Sequence, residues 1–186
     1  MIRKNVINTA IFGGKFDPPH LGHQLSIFLA LEKYRFDEVW VIPSFSHPFG
    51  FHPGDFDTRL EMCRIMAEPF GKRAKVLATE KNLGLKVVYT VDLIRYLREI
   101  FPQNDFSLVI GSDNWNVRQK WKDFDKIEEM CRKIVVIGRG EGKENGFSLP
   151  DISSTMIKNM IKNNQNPDVF LPAGILEYIR KNKLYA

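Results

Sequence analysis

"IFGGKFDPPHLGHQ", residues 11–24, crowds two glycines, a lysine, an aspartate, two prolines and two histidines into one short stretch. Val6 to Phe12 leads into it as a short apolar run that reads as a buried strand. Leu21 to Tyr34 follows it, with Leu25, Phe28, Leu29 and Leu31 at helical spacing. The stretch is therefore a strand-to-helix junction. Gly13 and Gly14 permit close approach of the backbone to a ligand, and Pro18 and Pro19 stiffen the turn. His20 and His23 open the helix at i and i+3 and share a face. A helix start with free backbone N–H groups attracts anions, and two imidazoles there add donors suited to phosphate oxygens. Plainer readings stand beside this one. Gly-Gly can be a tight turn, and Asp17 can cap the helix. H-x-x-H can be a metal pair, with His47 and His52 as further ligands, although neither cysteine lies nearby.

The rest of the chain alternates strand and helix patterns. Strands are expected at 38–42, 74–78, 106–111 and 133–138, and helices at 58–69, 90–100, 125–130, 153–162 and 173–182. Residues 44–57 and 138–146 read as loops. The strands are nearly continuous apolar runs. This predicts a doubly wound, Rossmann-like α/β fold: a parallel sheet flanked by helices on both faces. In such sheets ligands bind beyond the carboxyl ends of the strands, where the residues of interest fall.

The chain has 186 residues, which suits a single domain, 1–186. With 44% apolar and 26% charged residues, it is not a disordered chain. Its net charge of +5 is spread without a Lys/Arg block, which gives a nucleic-acid partner little support and suits small anionic substrates. No apolar run reaches membrane-spanning length. The early positive charges loosely mimic a signal peptide, but Asn8 and Thr9 break the apolar run, so a cytoplasmic protein is expected. Cys63 and Cys131 sit in helix-like apolar patterns and read as buried free thiols.

The far end repeats the theme of the opening. "ISSTMIK", residues 152–158, places Ser153, Ser154 and Thr155 at another helix start. They can be a capping cluster, and the same geometry grips phosphates. Two phosphate-type helix starts at opposite ends of one chain make sense if the fold brings them across one cleft.

"GGKFDPPHLGH" resembles the G-G-x-F-D-P-x-H-x-G-H signature of the nucleotidyltransferase superfamily, and "ISSTMIK" resembles its I-S-S-T-x-I-R signature. "VVYTVDLIRYL", residues 87–97, resembles the S-Y-T-x-x-T segment of the bacterial nicotinate-mononucleotide adenylyltransferases within it. "VIGSDNWNVRQKWKDFDKI", residues 109–127, resembles that family's I-I-G-x-D and tryptophan-containing segment, and "LPAGILEYIRKNKLYA" resembles its ending, a structural helix. The resemblance covers nearly the whole chain, in order.

It implies adenylyl transfer from ATP to nicotinate or nicotinamide mononucleotide in NAD biosynthesis. His20, His23 and Lys158 would be catalytic. Gly13, Gly14, Lys15, Phe16, Ser153, Ser154, Thr155, Gly111 and Asp113 would hold ATP and its phosphates, with Asp113 at a ribose hydroxyl. The C-terminal helices, from about 152 onward, would complete that site. His47, Tyr89, Thr90 and Trp121 would hold the pyridine nucleotide, with Trp121 stacked on the ring. Trp121 and Trp115 also read as partly buried anchors. Mg²⁺ would accompany ATP, held by phosphates and water, with no dedicated protein metal site. Asp17 would orient a water or the loop backbone. The chain departs from the family at four places. Lys15 stands where a small hydroxyl residue is usual, Lys158 where arginine is usual, and Val88 where serine is usual. The loop after the second strand lacks its lysine, with His47 in place of the loop histidine and Arg59 at the usual helix arginine. A phosphopantetheine or other nucleotidyltransferase, and an inactive nucleotide-binding regulator, are the competing readings.

Overall fold

The computed structural model describes residues 6–45, 55–138 and 149–185. His47 and His52 fall outside the described residues. The elements run β1 (Ile7–Gly14), α1 (Leu21–Glu32), β2 (Glu38–Pro43), α2 (Phe56–Ala67), β3 (Ala74–Val76), α3 (Thr79–Asn82), α4 (Thr90–Ile100), β4 (Asn104–Gly111), α5 (Ser112–Asn116), α6 (Phe124–Met130), β5 (Ile134–Ile137), α7 (Ser154–Lys162) and α8 (Ile175–Lys181). All strand pairs are parallel, in the order β3-β2-β1-β4-β5. This is the expected doubly wound sheet with helices on both faces. The winding direction reverses between β1 and β4, so the crevice at their carboxyl ends is the natural ligand site.

Alternation along β1 divides the core. Ala10 and Phe12 pack with Ile27, Ala30 and Leu31 of α1 and with Cys63 and Met66 of α2. Ile11 faces the other way, with Trp40 and Ile42 of β2, Val91, Ile94 and Leu97 of α4, and Ile127 of α6. A third cluster joins Met62 of α2 to Ile157 of α7 and to Ile175, Leu176 and Ile179 of α8. The C-terminal helices are thus carried on α2, on the α1 side of the sheet.

Several local expectations need correction. Phe28 is 48% exposed, because α1 buries its Ser26–Ile27–Leu29–Ala30 side instead. Small residues at 26 and 30 let that side lie close to the sheet. The third strand ends at Val76, and the one-turn helix α3 follows. Helix α2 starts two residues earlier than its apolar pattern suggested. Asp55 caps it by accepting the Asp57 N–H at 3.2 Å and the Thr58 hydroxyl at 2.7 Å.

The amino ends of the strands are tied by one acid. Glu38 Oε1 accepts from Trp40 Nε1 at 2.9 Å, Asn104 Nδ2 at 3.1 Å and the Thr9 hydroxyl at 3.4 Å. Its other oxygen pairs with Lys75. The network spans β1, β2, β3 and β4 and satisfies a buried carboxylate. Cys63 and Cys131 are both buried and free, and burial pushes the Cys131 thiol up to about 11 and Cys63 further in the same direction. Among the described residues no helix is long and apolar enough to cross a membrane.

Candidate active site

The junction between β1 and α1 is built from below. Phe16 adopts φ 51°, a conformation that bulky side chains rarely take. Its ring is 1% exposed and meets Phe12 at 5.4 Å and His23 at 4.9 Å between centroids, both edge-on. That packing holds the backbone in its strained state. A Cβ added at Gly14 would come within 3.1 Å of the Phe16 ring, so this glycine is the space the ring needs. Phe16 was expected among the ATP-binding residues. Its side chain is buried and supports the loop from beneath.

His20 is the N-cap residue of α1 and His23 its third residue. The rings lie 3.7 Å apart at 32°, nearly stacked. A Cβ at Gly22 would meet the His20 ring at 3.1 Å, which explains the glycine between them. His23 Nδ1 accepts the His20 backbone N–H at 3.2 Å. A ring nitrogen that accepts carries no hydrogen, so in the neutral ring Nε2 carries it and acts as donor. His23 is half-buried, whereas His20 is 1% exposed.

Arg59 locks the loop to the next strand. It is itself 1% exposed, and its Nη1 donates to the Lys15 carbonyl at 2.7 Å and its Nη2 to the Ser44 carbonyl at 2.8 Å. The Ser44 N–H donates to the Gly14 carbonyl at 2.9 Å. Burial pulls the Arg59 guanidinium below its ordinary range, while the charge of Asp17 pulls it back up.

Helix α7 arrives from the far end of the chain and docks on the same loop. Ser153 caps it, accepting the Met156 N–H at 3.1 Å. The Ser154 hydroxyl donates to the Pro18 carbonyl at 2.8 Å. One turn on, Lys158 Nζ donates to Asp17 Oδ2 at 2.9 Å. Ser153 and Ser154 therefore spend their hydroxyls on capping and docking, and Thr155 is the exposed hydroxyl of the first turn. Asp17 neither caps α1 nor stands open to water. It is buried, and its Oδ1 accepts the Tyr185 hydroxyl at 2.7 Å. Burial raises the Tyr185 phenol well above its ordinary value, and its bond to Asp17 adds to this, so it stays a donor.

On the opposite face of the sheet, a cleft of about 700 Å³ opens over the β1 and β4 ends. Gly13, Gly14, Lys15, Glu80, Tyr89, Thr90, Lys120, Trp121 and Lys122 line it. Trp121 is half-buried, edge-on to Phe124 at 6.0 Å. Lys122 Nζ sits 4.6 Å from the Tyr89 ring centre and bonds Asp92 at 3.1 Å. Trp115 packs on Phe124 under the Arg118 guanidinium, 4.0 Å above its ring, and is an anchor. Val88 is buried in the α4 cluster, so its departure from serine adds to the core. Gly111 ends β4 with open space beside it, and Asp113 follows, exposed, on α5. Neither lines the cleft itself. Glu80 of α3 is 9% exposed and accepts the Phe45 N–H at 2.8 Å. Burial raises its carboxyl to about 7, against the opposing pull of that bond and of Arg59.

The two predicted groups thus meet over the glycine end of β1. The phosphate set comes from α1 and α7, the pyridine set from α4 and the segment after α5. His47 lies outside the described residues. Glu80, Lys120, Lys122 and the inward turn of Tyr185 were missed. A lone acid in "ATEKN" and lysines flanking a tryptophan carry no local signature, and Tyr185 acts across 168 residues.

The Cytidylyltransferase-like family model matches residues 11–160. A "Probable nicotinate-nucleotide adenylyltransferase" of Myxococcus xanthus is 34% identical over 181 residues, covering 96% of this chain and 95% of the relative. A protein of the same description from Bacillus licheniformis is 31% identical over 185 residues, covering 94% and 96%. The solved structure of Plasmodium falciparum nicotinic acid mononucleotide adenylyltransferase complexed with NaAD shares the fold, with a TM-score of 0.80 at 20% identity over 96% of this chain and 97% of that one. Sequence kinship that runs almost end to end, on a sheet wound in the expected order, places this chain in the nicotinate-nucleotide adenylyltransferase family of the cytidylyltransferase-like nucleotidyltransferases.

Proposed function

We propose that this nucleotidyltransferase of NAD biosynthesis uses nicotinate mononucleotide, in preference to the nicotinamide form, as acceptor of the adenylyl group of ATP. The observation that carries the preference is the charge of the cleft. Three lysines, Lys15, Lys120 and Lys122, line it, and among the described residues its one lining acid, Glu80, has its carboxyl raised to about 7 by burial, so that it is only partly charged at neutral pH. A pyridine carboxylate gains from such a wall, whereas a carboxamide does not.

In the reaction, a phosphate oxygen of the mononucleotide attacks the α-phosphorus of ATP in line. The α–β bridging P–O bond breaks, and pyrophosphate leaves. The attacking phosphate is already anionic, so no protein nucleophile is needed, and the protein's contribution is positioning and charge stabilisation. His23, the more accessible ring, would donate from Nε2 to the transferred phosphate, with His20 stacked behind it. The α7 backbone N–H groups, Thr155 and Lys158 would hold the outer phosphates, with Lys15 adding a cation from the loop. Gly13 and Gly14 would let the ligand cross from one face of the sheet to the other. Trp121 and Tyr89 would flank the pyridine ring, Thr90 would bond the mononucleotide, and Asp113 would meet a ribose hydroxyl near Gly111.

Mg²⁺ is proposed as the partner of ATP, supplying neutralisation of phosphate charge. Among the described residues no group of three or more His, Cys, Asp or Glu could hold a metal ion, and both oxygens of Asp17 are engaged. The ion would therefore be held by phosphate oxygens and water.

Turnover is measured side by side with nicotinate and nicotinamide mononucleotides. At least about a tenfold higher kcat/KM for the nicotinate form is expected, the equivalent of one well-placed charge. Equal values would remove the preference and leave the transfer reaction standing.

A further inference from the structure

Asp17, Lys158, Arg59 and Tyr185 form one buried or half-buried cluster beside the histidine-bearing loop. Asp17 is its only carboxylate. One oxygen accepts from Lys158 Nζ at 2.9 Å, the other from the Tyr185 hydroxyl at 2.7 Å, and Arg59 acts on it through charge. Asp17 thus faces a lysine through a direct bond and an arginine through charge, beside the proposed phosphate site. Tyr185 also lies beside the lysine, with Lys158 Nζ 5.9 Å from the centre of its ring. The tail that brings it there is pinned. The Leu184 N–H donates to the Ile179 carbonyl at 3.0 Å, and Leu184 and Tyr185 pack on the apolar cluster under α7 and α8.

We propose that Tyr185 is a positioning residue for ATP, acting through Asp17 on Lys158. The proposal rests on the reading that Lys158 holds ATP phosphates. The hydroxyl disperses the charge of Asp17 over a second donor. Asp17 then holds Lys158 in place without binding its ammonium too tightly for the phosphates to share it. The aromatic ring stands beside the same ammonium. Lysine lacks the second donor edge that an arginine would offer to carboxylate and phosphate at once, so the sharing has to be arranged by its neighbours. A C-terminal residue, distant from the motifs, thereby enters the ATP site.

The test uses the full chain in four forms: wild type, Tyr185→Phe, Lys158→Met and the double variant. ATP affinity is read from KM and from titration with a non-hydrolysable ATP analogue, alongside KM for the pyridine mononucleotide and a thermal melt. Tyr185→Phe keeps the ring and the packing. It is expected to weaken ATP about fivefold, within the range for a bond to a charged group, with the mononucleotide KM unchanged. In the Lys158→Met background the same change should have no further effect on ATP. A Tyr185→Phe protein that loses melting temperature but keeps ATP affinity has a structural tail only, and the proposal fails. Equal weakening in both backgrounds also overturns it. If Lys158→Met itself leaves ATP affinity unchanged, the reading of Lys158 fails and takes this proposal with it. Should Tyr185→Phe not fold, Asp17→Asn carries the test in the wild-type and Lys158→Met backgrounds: the proposal requires a change in ATP affinity in the first and none in the second, and an equal change in both, or none in the first, overturns it.

Discussion

The two halves of the site are made differently. The phosphate half is braced by groups from distant parts of the chain: Arg59 to Lys15 and Ser44, Ser154 to Pro18, and Lys158 and Tyr185 to Asp17. Arg59, Asp17 and Pro18 are buried and most of the others are half-buried. The pyridine half is local and half-exposed. It draws on residues 88–90 and 114–122, with Trp121 leaning on Phe124 and Lys122 on Tyr89. A charge-stabilising site gains from rigidity, because its donors must not reorganise during reaction. A recognition surface loses little by being softer, and it is easier to alter. On this view rate resides in the braced half and acceptor choice in the soft one.

The contrast is broken most directly at the histidines. His23→Ala and His20→Ala are each expected to lower kcat by about 10²–10³-fold, as removal of a preorganised donor does. Pyrophosphate release from ATP and nicotinate mononucleotide is the measurement, with circular dichroism to confirm the fold. Retained activity in both variants would end the proposed roles. Comparable in size, Arg59→Met should cost about 3–5 kcal/mol in urea unfolding, since it strands two carbonyls and removes one of the two cations beside buried Asp17. A loss below about 1 kcal/mol would show that the loop is not braced through Arg59.

Glu80 sharpens the comparison through pH. Its carboxyl is raised from 4.5 to about 7 in the folded chain. The folded state therefore binds the proton more tightly than the unfolded one, and stability falls as pH rises from 4.5 to about 7. That loss is on the order of 3 kcal/mol. Glu80→Gln still accepts the Phe45 N–H and should flatten this slope in melts across that window. An unchanged slope would refute the assignment. The smallest effect is expected at Trp121. Its change to Ala should raise KM for the mononucleotide about tenfold and leave KM for ATP alone, and a rise in both would deny it a specific place on the pyridine.

Much of this was legible in the chain. The glycines, prolines and histidines of residues 11–24 carry chemistry in their types, and the apolar runs fix the parallel sheet. The hydroxyls of residues 153–155 marked a helix start, although only the coordinates separate the cap, Ser153, from the dock, Ser154. What stayed hidden is either short or remote. Helices α3 and α5 span one turn each, too brief for periodicity to register. Phe28 reads as core by hydrophobicity and is exposed because its neighbours are smaller. Arg59 came only through resemblance, and nothing local foretells its burial. The inward turn of Tyr185 depends on where the last helix lands, a property of the packed molecule.

The Glu38 network at the amino ends of the strands has a further consequence. It fixes the alignment of the central strands at the end away from the chemistry. The opposite rim, tied between β1 and β2 through Arg59 and Ser44, shares less of the duty of aligning the outer strands. Loops there that carry none of the Arg59 contacts can lengthen, shorten or change composition while the sheet keeps its register. The foot of the sheet works as the bound spine of a book whose open edge is free to be rewritten, so new acceptors could be explored at that edge without renegotiating the fold.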